Sequence, residues 1–282
     1  MSGKAVRALT FDGMGTLFEI RGGVGRFYAR EARRHGVALR TEMSHKPERM
    51  FFKNPYDGTS TKQNIEAPDE LRDSFYRAYK QADAKWPNFG SENNVESKQW
   101  WKEVVYNTYR GADYLTSKEE EETLSKMSDS LYSQFSSVEG YKLFPETKAV
   151  LADVRERVDS IGLITNTDER IHQVLESLGI HHLFDFVLCS REFGKRKPDP
   201  SIYTEACRLS KHHPSQVMHV GDHYEKDFLG AKGIGMEALL VTRGQDMEEE
   251  REDLRGLIIP DLMPLHSTFG KRLDMTEGDV FS

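Results

Sequence analysis

Short apolar runs alternate with segments of helical spacing over much of the chain. Five runs are predicted to be buried strands: 5–11, 161–164, 184–188, 217–220 and 238–241. Apolar residues three or four positions apart predict helices over 146–160, 168–178 and 201–209, and a short helix is predicted through Leu229 and Ala231. Strands that alternate with helices are typical of βαβ units, in which the strands form a parallel sheet.

Residues 19–140 have no strand-like run and show four apolar stripes of helical spacing. The stripes start at Val24, Leu71, Trp100 and Leu124. The polar segment 42–68 lacks a clear period and is predicted to be a loop. The pattern therefore predicts a Rossmann-like α/β fold, a three-layer sandwich with a mostly parallel sheet, into which an all-helical domain is inserted.

Polar residues follow four of the predicted strands. They are Asp12 and Thr16, then Thr165 and Asn166, then Lys197, then Asp222 and Asp227. Taken singly, each has a structural explanation as a turn residue, a helix cap or a solvated lysine. Ligands of parallel sheets bind at the carboxyl ends of the strands. The coincidence at four strand ends therefore predicts a binding or active site.

The four segments resemble the motifs of the haloacid dehalogenase-like (HAD) superfamily. They are Asp12-Gly-Met14-Gly-Thr16, Thr165, Lys197 in a Gly-Lys-Arg-Lys-Pro-Asp-Pro loop, and Gly221-Asp222 followed by Asp227. Segments 25–36, 86–90, 99–101 and 219–222 are similar to one eukaryotic branch. That branch, of subfamily IA, includes the fly rhythmically expressed protein and the vertebrate HAD-like domain-containing 3 proteins.

The resemblance implies a division of the chain into a core and a cap. The core would comprise residues 1–18 and 141–262, and a type-one helical cap would comprise residues 19–140, with the loop 42–68 inside it. Residues 263–282 would form a C-terminal tail.

The resemblance also implies a Mg²⁺-dependent phosphatase. Asp12 would attack phosphorus and form an aspartyl-phosphate. Oxygen ligands suit Mg²⁺, and here they would be Asp12, the backbone carbonyl of Met14, Asp222 and Asp227. Lys197 and Thr165 would take part in catalysis, and Thr16, Thr165, Asn166 and Lys197 would bind the phosphate.

Position 14 departs from the family pattern. Phosphatases of the family carry a second Asp two residues after the nucleophile as general acid and base, and this chain has Met14. Loss of general acid–base catalysis costs about 10²–10⁴-fold in rate. The sequence therefore predicts a weak or specialised phosphatase that acts best on good leaving groups such as acyl or aryl phosphates.

Two alternatives stay open at this point. A dehalogenase also uses an Asp nucleophile and needs no acid for a halide, although the family's dehalogenases do not keep a metal-type fourth motif. A catalytically reduced protein of the same fold could bind a ligand or a partner in a regulatory role. The activity expected from the resemblance is the hydrolysis of phosphoric monoesters, and the second alternative would leave the protein without enzymatic activity.

The composition of the chain limits the classes of partner that we expect. The chain has 39 Lys plus Arg and 46 Asp plus Glu, a net charge of −7, so neither nucleic acid nor an anionic membrane is expected as partner. Acidic runs at 118–122 and 246–253 carry charges of −3 and −5, so the rest of the chain has a net charge of +1 and a phosphate pocket is compatible with the composition. Two cysteines and the lack of an apolar leader predict an intracellular protein, in cytoplasm or nucleus, acting on a small phosphorylated molecule.

Overall fold

The computed structural model describes residues 5–39, 69–115, 117, 120–244 and 254–266. The predicted loop 42–68, the acidic run 246–253 and residues 267–282 of the predicted tail lie outside the described residues. None of the helices in the described ranges combines the length and apolar character needed to cross a membrane.

The described strands are short and mostly buried. In chain order they are β1 (Ala8–Phe11), β2 (Phe18–Ile20), β3 (Tyr141–Leu143), β4 (Ser160–Thr165), β5 (Phe186–Cys189), β6 (Val217–Gly221), β7 (Glu237–Val241) and β8 (Ile258–Ile259).

The described α-helices fall into two groups. Those between β2 and β3 are α1 (Val24–Arg34), α2 (Asp69–Lys85), α3 (Ser97–Gly111) and α4 (Glu121–Gln134). Those after β3 are α5 (Thr147–Arg155), α6 (Ile171–Ser177), α7 (Ser190–Phe193), α8 (Pro200–Ser210) and α9 (Gly230–Lys232).

Six strands form one parallel sheet in the order β5-β4-β1-β6-β7-β8, which confirms the predicted fold class. The chain first places β4 and β5 on one side of β1 and then returns to place β6 and β7 on the other. This reversal makes the carboxyl ends of β1 and β6 the topological switch point, where ligands bind in open parallel sheets.

Hydrophobic clusters cover both faces of the sheet. Leu9 and Phe11 of β1 belong to one cluster together with residues of α5 and α6, whereas Ala8 belongs to a second cluster with residues of α8. This alternation follows from the two-residue period of a strand and makes three layers. Leu265 is fully buried in the first cluster, three residues beyond the predicted end of the core at 262.

Helices α1–α4 pack around a hydrophobic cluster of their own. Its largest fully buried side chain is Trp100, whose indole N–H donates to the carbonyl of Trp86 over 2.9 Å. The four stripes seen in the sequence supply the buried residues of this cluster. The chain enters and leaves the helices through the antiparallel pair β2–β3.

Several elements differ from the sequence prediction. The helix predicted over 146–160 ends at Arg155, because the chain turns there and Ser160 already begins β4. The segment Tyr224–Leu229 is a π-helical turn rather than an α-helix. Strands β2, β3 and β8 were not predicted, since two or three residues are too short to show a period.

A close contact inside the sheet gives a test of the packing. Gly162 of β4 pairs with Phe186 of β5, and a Cβ added at residue 162 would lie 2.2 Å from Cζ of the Phe186 ring. We expect Gly162→Ala to lower the free energy of unfolding by about 1–3 kcal/mol through overpacking, measured by urea denaturation. In a Phe186→Leu background the loss should shrink; an equal loss in both backgrounds would contradict this packing.

Candidate active site

Asp12 lies directly after β1 at the switch point. Its backbone N–H donates to the carbonyl of Val220 over 2.9 Å, so the turn that follows starts at the carboxyl end of the sheet. Gly15 in that turn has a φ of +80°, and a Cβ there would lie 2.2 Å from Oδ2 of Asp222. Glycine at position 15 thus lets the turn approach Asp222.

Lys197 is the central cation of the site. Its Nζ donates to Oδ1 of Asp12 over 2.5 Å and to Oδ1 of Asp227 over 2.6 Å. The side chain is 2% exposed, so the ammonium group is shielded from water and the two carboxylates balance its charge. The structure therefore brings together residues that are 185 and 30 positions apart in the chain.

The side chain of Asn166 fixes the backbone of Lys197. Its Nδ2 donates to the Lys197 carbonyl over 2.9 Å, and its Oδ1 accepts from the Lys197 N–H over 2.8 Å. This pair of bonds occupies the side chain of Asn166, and the phosphate contact predicted for this residue stays a prediction. The bracing role was not predicted, because it depends on a loop 31 residues away.

Three carboxylates meet beside Lys197. Asp12, Asp222 and Asp227 each present an oxygen, and these oxygens lie within 4.8 Å of one another. The Thr16 hydroxyl is 3.5 Å from Oδ1 of Asp222, and it donates toward that oxygen. Asp227 is additionally held by the His223 N–H over 3.0 Å. Carboxylate oxygens at this spacing are the ligands that hard divalent cations prefer.

His219 supports Asp227 from the side of the sheet, a contact not predicted from the sequence. Its Nε2 lies 3.2 Å from Oδ1 of Asp227, and its Nδ1 lies 2.9 Å from the hydroxyl of Thr10. Burial lowers the pKa of His219, which keeps the ring neutral. A neutral ring that accepts from Thr10 donates its Nε2–H to Asp227 and fixes the orientation of that carboxylate.

The carboxyl pKa values show that the cluster is short of positive charge. Burial raises the pKa of Asp12 to about 6, with Lys197 opposing and Asp227 adding to the rise. Burial, with Asp12 and Asp227 nearby, raises the pKa of Asp222 well above its usual range. For Asp227, Lys197 and His219 outweigh burial and hold its pKa well below the usual range. One ammonium faces three carboxylates, of which Asp12 and Asp227 are buried and Asp222 is half-buried, so a divalent cation could neutralise the remaining negative charge.

The backbone at Met14 fits the same cation. The carbonyl oxygen of Gly13 accepts from the N–H groups of Thr16, Leu17 and Phe18, whereas within the described residues the Met14 carbonyl accepts no hydrogen bond. A carbonyl oxygen without a donor, two residues after Asp12, is a candidate for a further ligand. The thioether of Met14 points elsewhere and lines a cavity.

That cavity, of about 110 Å³, lies between the helices α1–α3 and the carboxyl end of β4. Thr165, the last residue of β4, is among its lining residues and is 3% exposed. The predicted phosphate-binding hydroxyl therefore lies where the site described above meets the cavity.

A buried ion pair closes the wall of the cavity near α3. Asp168 accepts from Nε and Nη2 of Arg170 over 2.8 and 2.7 Å, and from the indole N–H of Trp101 over 2.6 Å. The Arg170 guanidinium lies 4.9 Å from the Trp101 ring. Sequence reasoning assigned Asp168 to a helix and missed both contacts: Arg170 is only two residues away, but Trp101 lies on α3, 67 positions earlier in the chain.

The α/β sheet and this site define a hydrolase class. The chain belongs to the haloacid dehalogenase-like hydrolase family, whose profile matches residues 6–235.

Among its relatives is the human haloacid dehalogenase-like hydrolase domain-containing protein 3, 30% identical over 277 residues, which cover 98% of this chain and 96% of that protein. This similarity confirms the branch predicted from the sequence.

Two further likenesses extend the comparison. The glyceraldehyde 3-phosphate phosphatase of Methanopyrus kandleri is 36% identical over 115 residues, which are 40% of this chain and 49% of that protein. The crystal structure of a defluorinating L-2-haloacid dehalogenase superposes with a TM-score of 0.67 at 18% identity, covering 95% of this chain and 97% of that one. The second likeness shows the fold alone.

Removal of the ammonium tests the charge balance of the site. We expect Lys197→Met to lower the free energy of unfolding by about 3–5 kcal/mol at pH 7 without added divalent cation, because the buried carboxylates of Asp12 and Asp227 lose their counter-ion. When the folded state raises the pKa of a carboxyl group, ionisation of that group destabilises the folded state as the pH rises. The loss of unfolding free energy in Lys197→Met should therefore be smaller at pH 5 than at pH 7.

Urea denaturation at the two pH values measures this effect. Lys142→Met, which removes an exposed lysine paired with Glu19, serves as the matched control. Equal losses for the two variants, or a loss independent of pH, would contradict the charge balance described here.

Proposed function

We propose that the protein is a Mg²⁺-dependent phosphatase that acts through an aspartyl-phosphate on Asp12. The observation that carries this proposal is the meeting of Asp12, Asp222 and Asp227 with the buried Lys197 at the switch point of the sheet. Carboxylates, a lysine and a divalent cation are the parts that phosphoryl transfer needs for positioning and charge stabilisation.

In this proposal Asp12 is the nucleophile. Lys197 holds Oδ1 of Asp12, which orients the carboxylate and leaves its other oxygen to attack phosphorus. Asp12, the Met14 carbonyl, Asp222 and Asp227 would hold Mg²⁺, which when bound supplies positive charge to the phosphoryl oxygens. Asp227 also binds Lys197 and thereby positions the ammonium.

The phosphate would be held by groups on three strand ends. Thr165 would contribute its hydroxyl, Asn166 its backbone N–H, and Lys197 its charge. Thr16 is fully buried and donates toward Asp222, so we propose that it acts on the phosphate through that carboxylate. Helices α1–α4 would form a helical cap over the site, and residues of this cap would determine the substrate specificity.

The name of the Methanopyrus kandleri relative supports a small phosphorylated molecule as substrate of this chain. Nucleic acid and membrane surfaces are not part of the proposal. Cys189 and Cys207 are free and buried, which suits a protein of a reducing compartment, and we propose an intracellular location.

The carboxylate cluster favours a phosphatase over a dehalogenase. Displacement of a halide by Asp12 needs neither Asp222 nor a cation, whereas here three carboxylates converge within 4.8 Å. The dehalogenase likeness at 18% identity adds nothing to the choice of reaction.

The nucleophile can be tested by substitution and by a phosphoryl mimic. We expect Mg²⁺ with beryllium fluoride to raise Tm of the wild-type protein, because the mimic binds Asp12 and stabilises the folded state. Asp12→Asn should lose this shift and should lose hydrolysis of p-nitrophenyl phosphate. Differential scanning fluorimetry and product release measure the two effects.

Asp129→Asn, at an exposed acidic residue, is the matched control and should keep both properties. Wild-type protein that shows neither a Tm shift nor turnover would support the second candidate, a binding or regulatory protein of this fold. Met14 is the observation that favours that candidate, since a thioether cannot transfer a proton.

Position 14 offers a gain-of-function test. We expect Met14→Asp to raise kcat for alkyl phosphates by about 10²-fold or more, because a carboxyl group can protonate an alkoxide leaving group. Steady-state kinetics on glycerol phosphate measure the change, with Met263→Asp, at a residue 50% exposed, as control. An unchanged kcat in Met14→Asp would contradict the assignment of this position to acid–base catalysis.

A further inference from the structure

We propose that the substrate is an aryl phosphate monoester, with its ring in the cavity beside Met14 and a phenolate as leaving group. The inference rests on the proposed phosphatase function and names the substrate class of the same site. Three features of the cavity support this proposal: its position, its lining residues and the hydrogen bonds that its charged side chains already make.

The position of the cavity makes it the place for the leaving group. Met14 and Thr165 both line it, and they belong to the turn after β1 and the end of β4 that form the reaction site. A phosphoryl group beside Asp12 and Thr165 therefore directs its ester substituent past Met14. The volume of about 110 Å³ suits one small ring with modest adjustment, since an engineered cavity of about 150 Å³ holds benzene.

The lining is mainly aromatic and aliphatic. Its apolar side chains include Phe18, Val24, Phe75, Trp101 and Phe135. They come from β2, from three helices and from the residue after α4, so the cavity is enclosed by separate elements. Aromatic walls favour an aromatic guest, because rings gain energy from offset and edge-to-face contacts beyond burial alone.

The charged side chains of the cavity already satisfy one another. Asp168 receives three hydrogen bonds from Arg170 and Trp101 side chains, and Nη1 of Arg170 donates to the Tyr132 carbonyl. Asn166 is occupied by the backbone of Lys197. A sugar or a second phosphate would have to break these bonds, whereas an apolar ring leaves them intact.

The thioether at position 14, which cannot donate a proton, favours the same class of substrate. A phenol has a pKa of about 10, so phenolate departs without a proton, whereas an alkoxide requires an acid. An oxygen of Asp12 bonds to phosphorus as the bond to the phenolate oxygen breaks, and the electron pair leaves with that oxygen. Water protonates the phenolate, and a second water hydrolyses the aspartyl-phosphate to inorganic phosphate.

Three esters separate ring binding from leaving-group quality. Phenyl phosphate has the ring and a good leaving group, benzyl phosphate has the ring and an alkoxide leaving group, and glycerol phosphate has neither. We expect kcat/KM to be at least about 10²-fold higher for phenyl phosphate than for glycerol phosphate. Benzyl phosphate should bind as tightly as phenyl phosphate but turn over slowly.

Binding is measured apart from turnover with Asp12→Asn, which keeps the cavity. Calorimetric titration should show phenyl and benzyl phosphate binding at least about tenfold more tightly than glycerol phosphate. Val24→Thr places a hydroxyl in the cavity wall and should raise KM of the wild-type reaction for phenyl phosphate by about tenfold with little change in kcat. Val138→Thr, the same change at a residue 42% exposed, is the control.

The outcomes distinguish the two proposals. If glycerol phosphate is hydrolysed or bound as well as phenyl phosphate, the proposal of an aryl substrate is overturned, whereas the phosphatase function stands. An unchanged KM in Val24→Thr would also overturn it, because the ring would then lie outside the cavity. No hydrolysis of any ester, p-nitrophenyl phosphate included, would instead overturn the phosphatase function itself.

Discussion

The contact between one buried ammonium and two buried carboxylates organises this structure. Lys197 donates to Asp12 and Asp227, and neither the lysine nor its partners could leave water singly without a large cost. The balance is incomplete, because Asp222 adds a third carboxyl whose pKa burial and its acidic neighbours raise. A folded protein that keeps such a cluster is well prepared to bind a divalent cation.

Much of the surrounding backbone is arranged around that contact. Asn166 binds both backbone groups of Lys197, and His219 holds Asp227 from beneath. At Gly221 a Cβ would lie 2.3 Å from Cγ of Asp227, so the strand approaches the carboxylate closely. The strand ends and the hydrogen bonds from Asn166 and His219 thus hold the cluster in place, as the proposed phosphoryl transfer would require.

The helices α1–α4 are coupled to the same region through specific polar contacts. Trp101 of α3 donates to Asp168, and Asn88 donates to the carbonyl of Ser190 over 2.7 Å at the start of α7. The apolar cavity lies between these contacts and the turn at Met14. The thioether residue at position 14 and the apolar cavity that it lines are therefore two aspects of one local environment.

The sequence by itself determined the parallel sheet, and it indicated that Asp12, Lys197 and Asp222 would lie at one site, because strand periods and strand-end polar residues are local signals. The domain division and the roles of these residues stay predictions. Only the tertiary structure decided that Asn166 braces Lys197, that Asp168 pairs with Arg170 beneath Trp101, and that β2 pairs with β3. The Asn166–Lys197 and Trp101–Asp168 contacts join segments distant in the chain, and β2 and β3 are too short to show a period. Asp168 and Arg170 lie only two residues apart, but a pair of this kind follows no strand or helix period. Their residues carry no local pattern, and packing alone selects their partners.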